Sequence, residues 1–506
     1  MGGEGNLSLM KPSFFLLAAL FAFISAGKLY AAPSPVRPLV TVVDLDLNEE
    51  KSITLSDKTQ AVVKLLGLNE VRDPIRQAVR IAEVSLLVNG QPIKVQSGMY
   101  NLPKTIGKVQ VDCSVTSGLN SNGTPSFWGL EKAARIRLWP AGSPVITPGS
   151  FIYPAKQRWF ATGTWYDNET VDGGSSILPK IYYHSGLDIG GTEAMTKVIA
   201  ATDGLVVSAA GKVLEGHEKA NGNSPVAERG DVVYLLDSRG WYYRYSHLHE
   251  IAGTIKLGDR IKQGDPIGLL GKKGASGGWS HLHFEIMAKQ PSGKWGTQAG
   301  YAFLRQAYIN QYHPNVLACA RPGMLLMQGD TTTLDASRSW EAKGGIDKYE
   351  WTFSDGTHAQ GARVEHNYPQ PGFFHETLKV TDAAGNIDYD FVVIKVVSKE
   401  QSDKYPIGLH AAYWPSFGIK PGDPVTFKVR SFGAAPEDKS NEVWDFGDDS
   451  QKVSVHSDGN QNKLAEDGYA ITQHRYEKAG HYVVTVKRKF SNGQTANYHL
   501  QVRVGE

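Results

Sequence analysis

The chain has 506 residues, about three times the length one domain core needs. Its 53 Lys and Arg against 51 Asp and Glu leave a formal charge of +2, which excludes a nucleic-acid binder working through a strong basic field. A 41% hydrophobic content excludes general disorder, and two cysteines, Cys113 and Cys319, are too few for a disulfide-stapled scaffold or a Cys-based zinc finger. Gly 54, Pro 25, Tyr 22 and Trp 11 point to turn-rich β architecture.

In chain order, Lys11 precedes an apolar run from Phe14 to Ile24, then Ser25, Ala26 and Gly27. That pattern predicts a secretory signal peptide over residues 1–32, with exits after Gly27 or at Ala31-Ala32, and an exported mature protein with no membrane segment. In an oxidising compartment Cys113 and Cys319 either bridge or stay as two separate buried thiols; spacing alone does not choose.

Residues 33–153 alternate short β-type runs with turn signals. The runs are Ile53 to Leu55, Ala61 to Leu66, Val84 to Val88, Ile93 to Gln96, Lys108 to Cys113 and Ala134 to Leu138, with a hairpin turn at Asn89-Gly90. An all-β domain without a chemical motif follows, one that positions substrate, masks a site as a prosegment, or scaffolds.

Residues 154–320 hold the chemistry. Six of the fifteen histidines lie between His184 and His283, in HSGLD at 184–188, EGHEKANGNSP around His217, YRYSHLHE at 243–250 and SHLHFEI at 280–286. His281 and His283 share one face of a strand about 7 Å apart, with Leu282 and Phe284 on the other. His184 and Asp188 are four apart, but Gly186 and Gly190-Gly191 argue against a helix, so a loop or bulge must bring them together. Two imidazole nitrogens and one carboxylate oxygen match zinc, and three protein ligands leave a fourth position for water. The apolar and aromatic spacing of Tyr301 to Tyr312 predicts a packing helix.

Several neighbours have plainer readings. His249 reads as a rim residue, His217 as loop surface and Tyr245 as a packed strand tyrosine. Glu285 reads as support for the site or as half of a salt bridge, and Asp203-Gly204 and Gly274 to Gly278 as turns.

Together, HxxxD, then Y-x-HL, then a glycine at every third position from Gly268 to Gly277 ahead of HLHFE resemble the lysostaphin/LytM-type, or β-lytic, zinc metallopeptidases over roughly residues 180–290. ATDGLVV at 201–207 and LGDRIKQGDPIG at 257–268 agree with that pattern. The resemblance implies a largely antiparallel β fold, one Zn2+ per chain held by His184, Asp188 and His283, and His281 and His247 as the catalytic histidines. One of these two accepts a proton from water and the other holds the oxyanion, His281 being the expected base. It also implies an endopeptidase acting on peptidoglycan cross-links. Gly-rich extracellular proteins are the alternative substrate, and a non-catalytic cell-wall or polysaccharide binder with a relic zinc site is the rival from another class.

Residues 321–399 and 400–506 repeat one grammar. WTFSDG and WDFGDD each run an aromatic-x-aromatic strand into a turn, and Tyr368 and Tyr476 each precede a Gly turn and an alternating strand. Both resemble PKD repeats, which are immunoglobulin-like β-sandwiches. The second carries an insertion from Ser450 to Asp467 that departs from the pattern. The resemblance implies spacer or binding modules for a cell-surface polysaccharide or protein. The fold class expected is therefore mainly β throughout, and the location periplasmic or extracellular.

Overall fold

Strand periodicity dominates the molecule. In Val79–Val88 the buried positions Val84, Leu86 and Val88 alternate with partly exposed ones, the two-residue period of a sheet with one face on a core. The structure, a computed structural model, describes residues 1–3, 36–97, 99–120, 127–171, 182–219, 222, 224–400 and 406–506. Most of the expected signal peptide lies outside the described residues. Among those described, no helix is long and apolar enough to cross a membrane.

The N-terminal region is two four-stranded sheets. Glu50–Thr54, Gln60–Arg72, Val79–Val88 and Gln91–Gln96 form a meander, and Thr41–Leu45 leads the other sheet, followed in spatial order by Ala134–Pro140, Val109–Thr116 and Lys104–Ile106. Leu45, Val63, Leu65, Val84, Leu86, Val111 and Ile136 share the core. Asn89 and Gly90 take φ of 48° and 77°, the left-handed pair a tight hairpin needs. The strand Ala134–Pro140 is buried throughout because Arg135 and Arg137 on it are paired with Asp44 and Asp112. Arg137 also donates to the Ala299 carbonyl at 2.7 Å, which ties this region to the next.

The disulfide left open by the sequence does not form. Cys113 belongs to the N-terminal core and Cys319 to the core around the helix, and both are free, buried thiols.

Between them lies a nine-stranded sheet. Its central path runs Gly204–Ala209, Val233–Leu236, Tyr242–Ser246, His281–Lys289 and Leu187–Gly190, antiparallel throughout. A three-stranded sheet of Lys197–Ile199, Pro266–Leu270 and Leu248–Ile251 accompanies it. The helix Tyr301–Tyr312 falls where its apolar spacing puts it and buries Tyr301, Phe303, Leu304, Ala307 and Tyr308 in the same core as Leu282 and Phe284. It ends at His313, whose left-handed φ of 46° lets its N–H reach the Ile309 carbonyl.

The C-terminal half carries two β cores, one around Trp351, Tyr368, Leu378 and Val380 and one around Trp444, Tyr476, Val484 and Val486. The two modules are not separate beads. Gly372–Asp382 of the first runs parallel to Thr495–Val504 of the second, with Phe373 opposite Ala496, so one nine-stranded sheet spans both.

Candidate metal centre

Three adjacent strands build the site. In the sheet register Asp188 and Ser246 flank His283, which puts the Leu187–Gly190 and Tyr242–Ser246 strands on either side of the one bearing both HxH histidines. Leu282, Phe284 and Ile286 enter the core and are essentially unexposed, so His281, His283 and Glu285 face the opposite side. Gly186 turns the chain between His184 and Asp188 with a φ of +78°, and a Cβ there would lie 3.0 Å from the Phe284 carbonyl oxygen. A side chain at 186 would both strain the backbone and push His184 off the sheet.

His184, Asp188 and His283 each offer one ligand atom, all within 4.8 Å of one another. His184 Nε2 lies 3.1 Å from Asp188 Oδ2, and His283 Nδ1 lies 2.8 Å from Asp188 Oδ1. All three residues are buried. Burial alone would raise the Asp188 pKa, yet the charge on His184 and the hydrogen bonds from His184 and His283 hold it well below the usual carboxylate range. Burial would likewise push His184 down, but Asp188 lifts it to about 9. An ionised, buried carboxylate that draws positive charge onto its neighbours is an environment suited to a cation. Two borderline nitrogens and one hard oxygen fit Zn2+.

His281 lies beside this trio, its Nε2 3.4 Å from Asp188 Oδ2. Its Nδ1 pairs with the Trp279 carbonyl at 3.1 Å, which fixes that nitrogen as the donor and leaves Nε2 with its lone pair. Burial, reinforced by His247 and His283, holds the ring neutral well below its ordinary pKa. His247 stands with its ring centroid 4.7 Å from that of His281, and its Nδ1 donates to the Lys273 carbonyl at 2.6 Å. It adopts a φ of +66°, unusual for a residue with a Cβ, and Asp231 holds that turn by accepting its N–H at 3.1 Å.

The plainer readings hold for several neighbours. Tyr245 is buried, and its hydroxyl accepts the Ala201 N–H at 2.8 Å. His217 pairs with the Tyr242 hydroxyl at 2.9 Å, and His249 is half-buried beside Leu248. Glu285 lies near the partners of both readings. It lies 3.4 Å from the Arg244 guanidinium and 3.6 Å from His283 Nε2, and it accepts from Thr297 at 2.6 Å. Burial is outweighed by His283 and Arg244, and its pKa drops to about 2.

Three supporting residues carry no sequence signal. Asp231 sits in a plain strand approach. Asp167 accepts the N–H groups of Gly186 at 2.8 Å and Gly300 at 3.0 Å, so it braces the turn that separates His184 from Asp188. Trp279 stacks on His281 with ring centroids 4.0 Å apart. Only their partners, distant in the chain, identify them.

Comparison with known proteins matches three segments of the chain. A peptidase family M23 model matches residues 182–294, and PKD domain models match residues 314–396 and 410–502. Among solved structures, lysostaphin from Staphylococcus simulans is 19% identical over 47% of this chain and 90% of its own, with a TM-score of 0.22. Csd3 from Helicobacter pylori is 16% identical over 52% of this chain and 74% of its own, at 0.22. The fibronectin(III)-like modules of Clostridium thermocellum CbhA are 10% identical over 37% of this chain and 93% of theirs, at 0.14. The M23 match covers one domain of the chain, residues 182–294.

Proposed function

We propose that this chain, which carries a peptidase family M23 domain followed by two PKD domains, is an exported zinc-dependent endopeptidase that cleaves peptide cross-links of peptidoglycan. The observation that carries the reading is the convergence of His184, Asp188 and His283 from two neighbouring strands and the turn before them. These three would hold one Zn2+ per chain. The chemistry a bound Zn2+ supplies is Lewis-acid polarisation of the scissile carbonyl and acidification of water.

The protein's own groups do the rest. His281 accepts a proton at Nε2, because its other nitrogen is committed to the Trp279 carbonyl and burial keeps the ring neutral. His247, fixed through Nδ1 to the Lys273 carbonyl, shares that proton or, carrying it, donates to the developing oxyanion. Glu285 puts negative charge 3.6 Å from His283 Nε2, while His283 Nδ1 points at Asp188. The signal-peptide pattern of residues 1–32 supports export to the periplasm or the cell exterior, where the wall substrate lies.

Incubating the purified chain with cell-wall sacculi and, separately, with a Gly-rich extracellular protein tests the substrate. The reading predicts new amino termini from sacculi, abolished by a zinc chelator and restored by added zinc. Release from the Gly-rich protein alone would move the activity to the alternative substrate. Release from neither would contradict a hydrolase.

A further inference from the structure

The insertion at residues 450–467, which departs from the PKD pattern, has a place in the fold. Asn460 in it donates from Nδ2 to the Gly277 carbonyl at 3.1 Å, and Arg430 of the same module donates from Nη1 to the Gly278 carbonyl at 2.6 Å. Arg430 is fully buried, and Asp458 of the insertion holds its guanidinium at 2.7 Å and 2.5 Å. Gly278 is what permits this approach, since a Cβ there would lie 2.0 Å from Asn460 Oδ1.

One step further along, Tyr469 of the module accepts the Ser280 N–H at 2.9 Å. Tyr469 is anchored in turn. Its hydroxyl lies 2.8 Å from His410 Nδ1, and His410 Nε2 lies 3.4 Å from Thr162 Oγ1, whose own hydrogen goes to the Ala411 carbonyl. The proton inventory then has one solution. His410 donates from Nε2, so its Nδ1 accepts from Tyr469, whose oxygen is left to accept from Ser280. Trp279, between the two gripped positions, touches His410 edge-on at 5.3 Å and lies flat on His281 at 4.0 Å. Its carbonyl receives the His281 Nδ1 proton.

We propose that the second PKD domain is a working part of the peptidase site, with Tyr469 and Arg430 as positioning residues that hold the 277–280 loop so that Trp279 fixes the His281 ring. This rests on the endopeptidase reading above and extends it, because the module becomes more than a spacer or a wall-binding unit. Every contact acts on the loop backbone or on Trp279, so the clamp sets the orientation of a base without touching substrate or metal.

The test compares the full chain with Tyr469→Phe, which removes one oxygen and keeps the ring. Ser416→Ala serves as the control, since it removes a bond between the same two domains, at Arg158, that does not involve the loop. Turnover on sacculi, bound zinc and hydrogen exchange of the peptide spanning Gly274 to Leu282 are measured for all three. The proposal expects Tyr469→Phe to lower kcat about tenfold or more with KM and zinc content unchanged, and to speed exchange at Ser280, with Ser416→Ala like the parent in both. A Tyr469→Phe chain with parental kcat overturns the positioning role, as does an equal kcat loss in Ser416→Ala. Parental exchange at Ser280 overturns the clamp itself. A parent chain with no turnover would overturn the endopeptidase reading and the positioning role with it, while the exchange arm still decides the clamp.

Discussion

At the scale of the residue, the proposed function divides the site into groups that hold charge and groups that move a proton, and the two should respond differently to substitution. Asp188 is ionised and buried against two imidazoles, so its partners would be committed to a cation, whereas His281 keeps a free lone pair beside them. His281→Ala should therefore keep its zinc and lose about 10²- to 10⁴-fold in turnover, the span expected of a general base. Loss of zinc from this variant, read by elemental analysis, would make His281 a ligand instead. The cysteines give a second residue-scale expectation. Burial pushes the Cys319 thiol up to about 11 and Cys113 higher still, so neither forms much thiolate near neutral pH. A thiol reagent should find no fast-reacting cysteine in the native chain at pH 8 and two after denaturation, with non-reducing mass spectrometry showing no bridge.

At the scale of the element, what was legible in the sequence is what local pattern encodes. The HxH strand was readable because a period of two forces His281 and His283 to one face and Leu282 and Phe284 to the other, and the register then brings Asp188 alongside. The helix Tyr301–Tyr312 and the Asn89-Gly90 turn were readable for the same reason. Asp231, Asp167 and Trp279 were not, because each acts through a backbone group or ring supplied by another segment. Nor did anything local distinguish two free thiols from a bridge. The insertion at 450–467 reads only as a departure from the repeat pattern because its partner, the Gly277-Gly278 turn, lies nearly two hundred residues away. That turn is testable by itself. Gly278→Ala places a Cβ at a φ of +91° and against Asn460, and should cost about 1–2 kcal/mol of stability. An unchanged urea midpoint would mean the loop is not held as described.

At the scale of the whole molecule, the domains are joined by buried polar contacts more than by linkers, and those contacts carry a pH signature. Burial lowers His410 to about 3 from an ordinary 6.5. Between those values the unfolded chain binds the proton that the folded chain refuses, so stability falls as pH drops below 6.5, by about 1.4 kcal/mol per unit. His410→Gln removes that term. The parent should lose roughly 2 kcal/mol more than the variant between pH 6.5 and 5 in matched denaturant titrations, and parallel losses would place the His410 ring in solvent contact. The same joining through Tyr469 and Arg430 brings the C-terminal half against the loop beside the candidate site. The endopeptidase reading depends on three side chains meeting around one cation. Zinc bound per chain, measured for the parent and for His283→Ala after equal dialysis, tests that most directly. One equivalent in the parent and none in a folded His283→Ala is the predicted result, and equal zinc in both, or none in either, would contradict it.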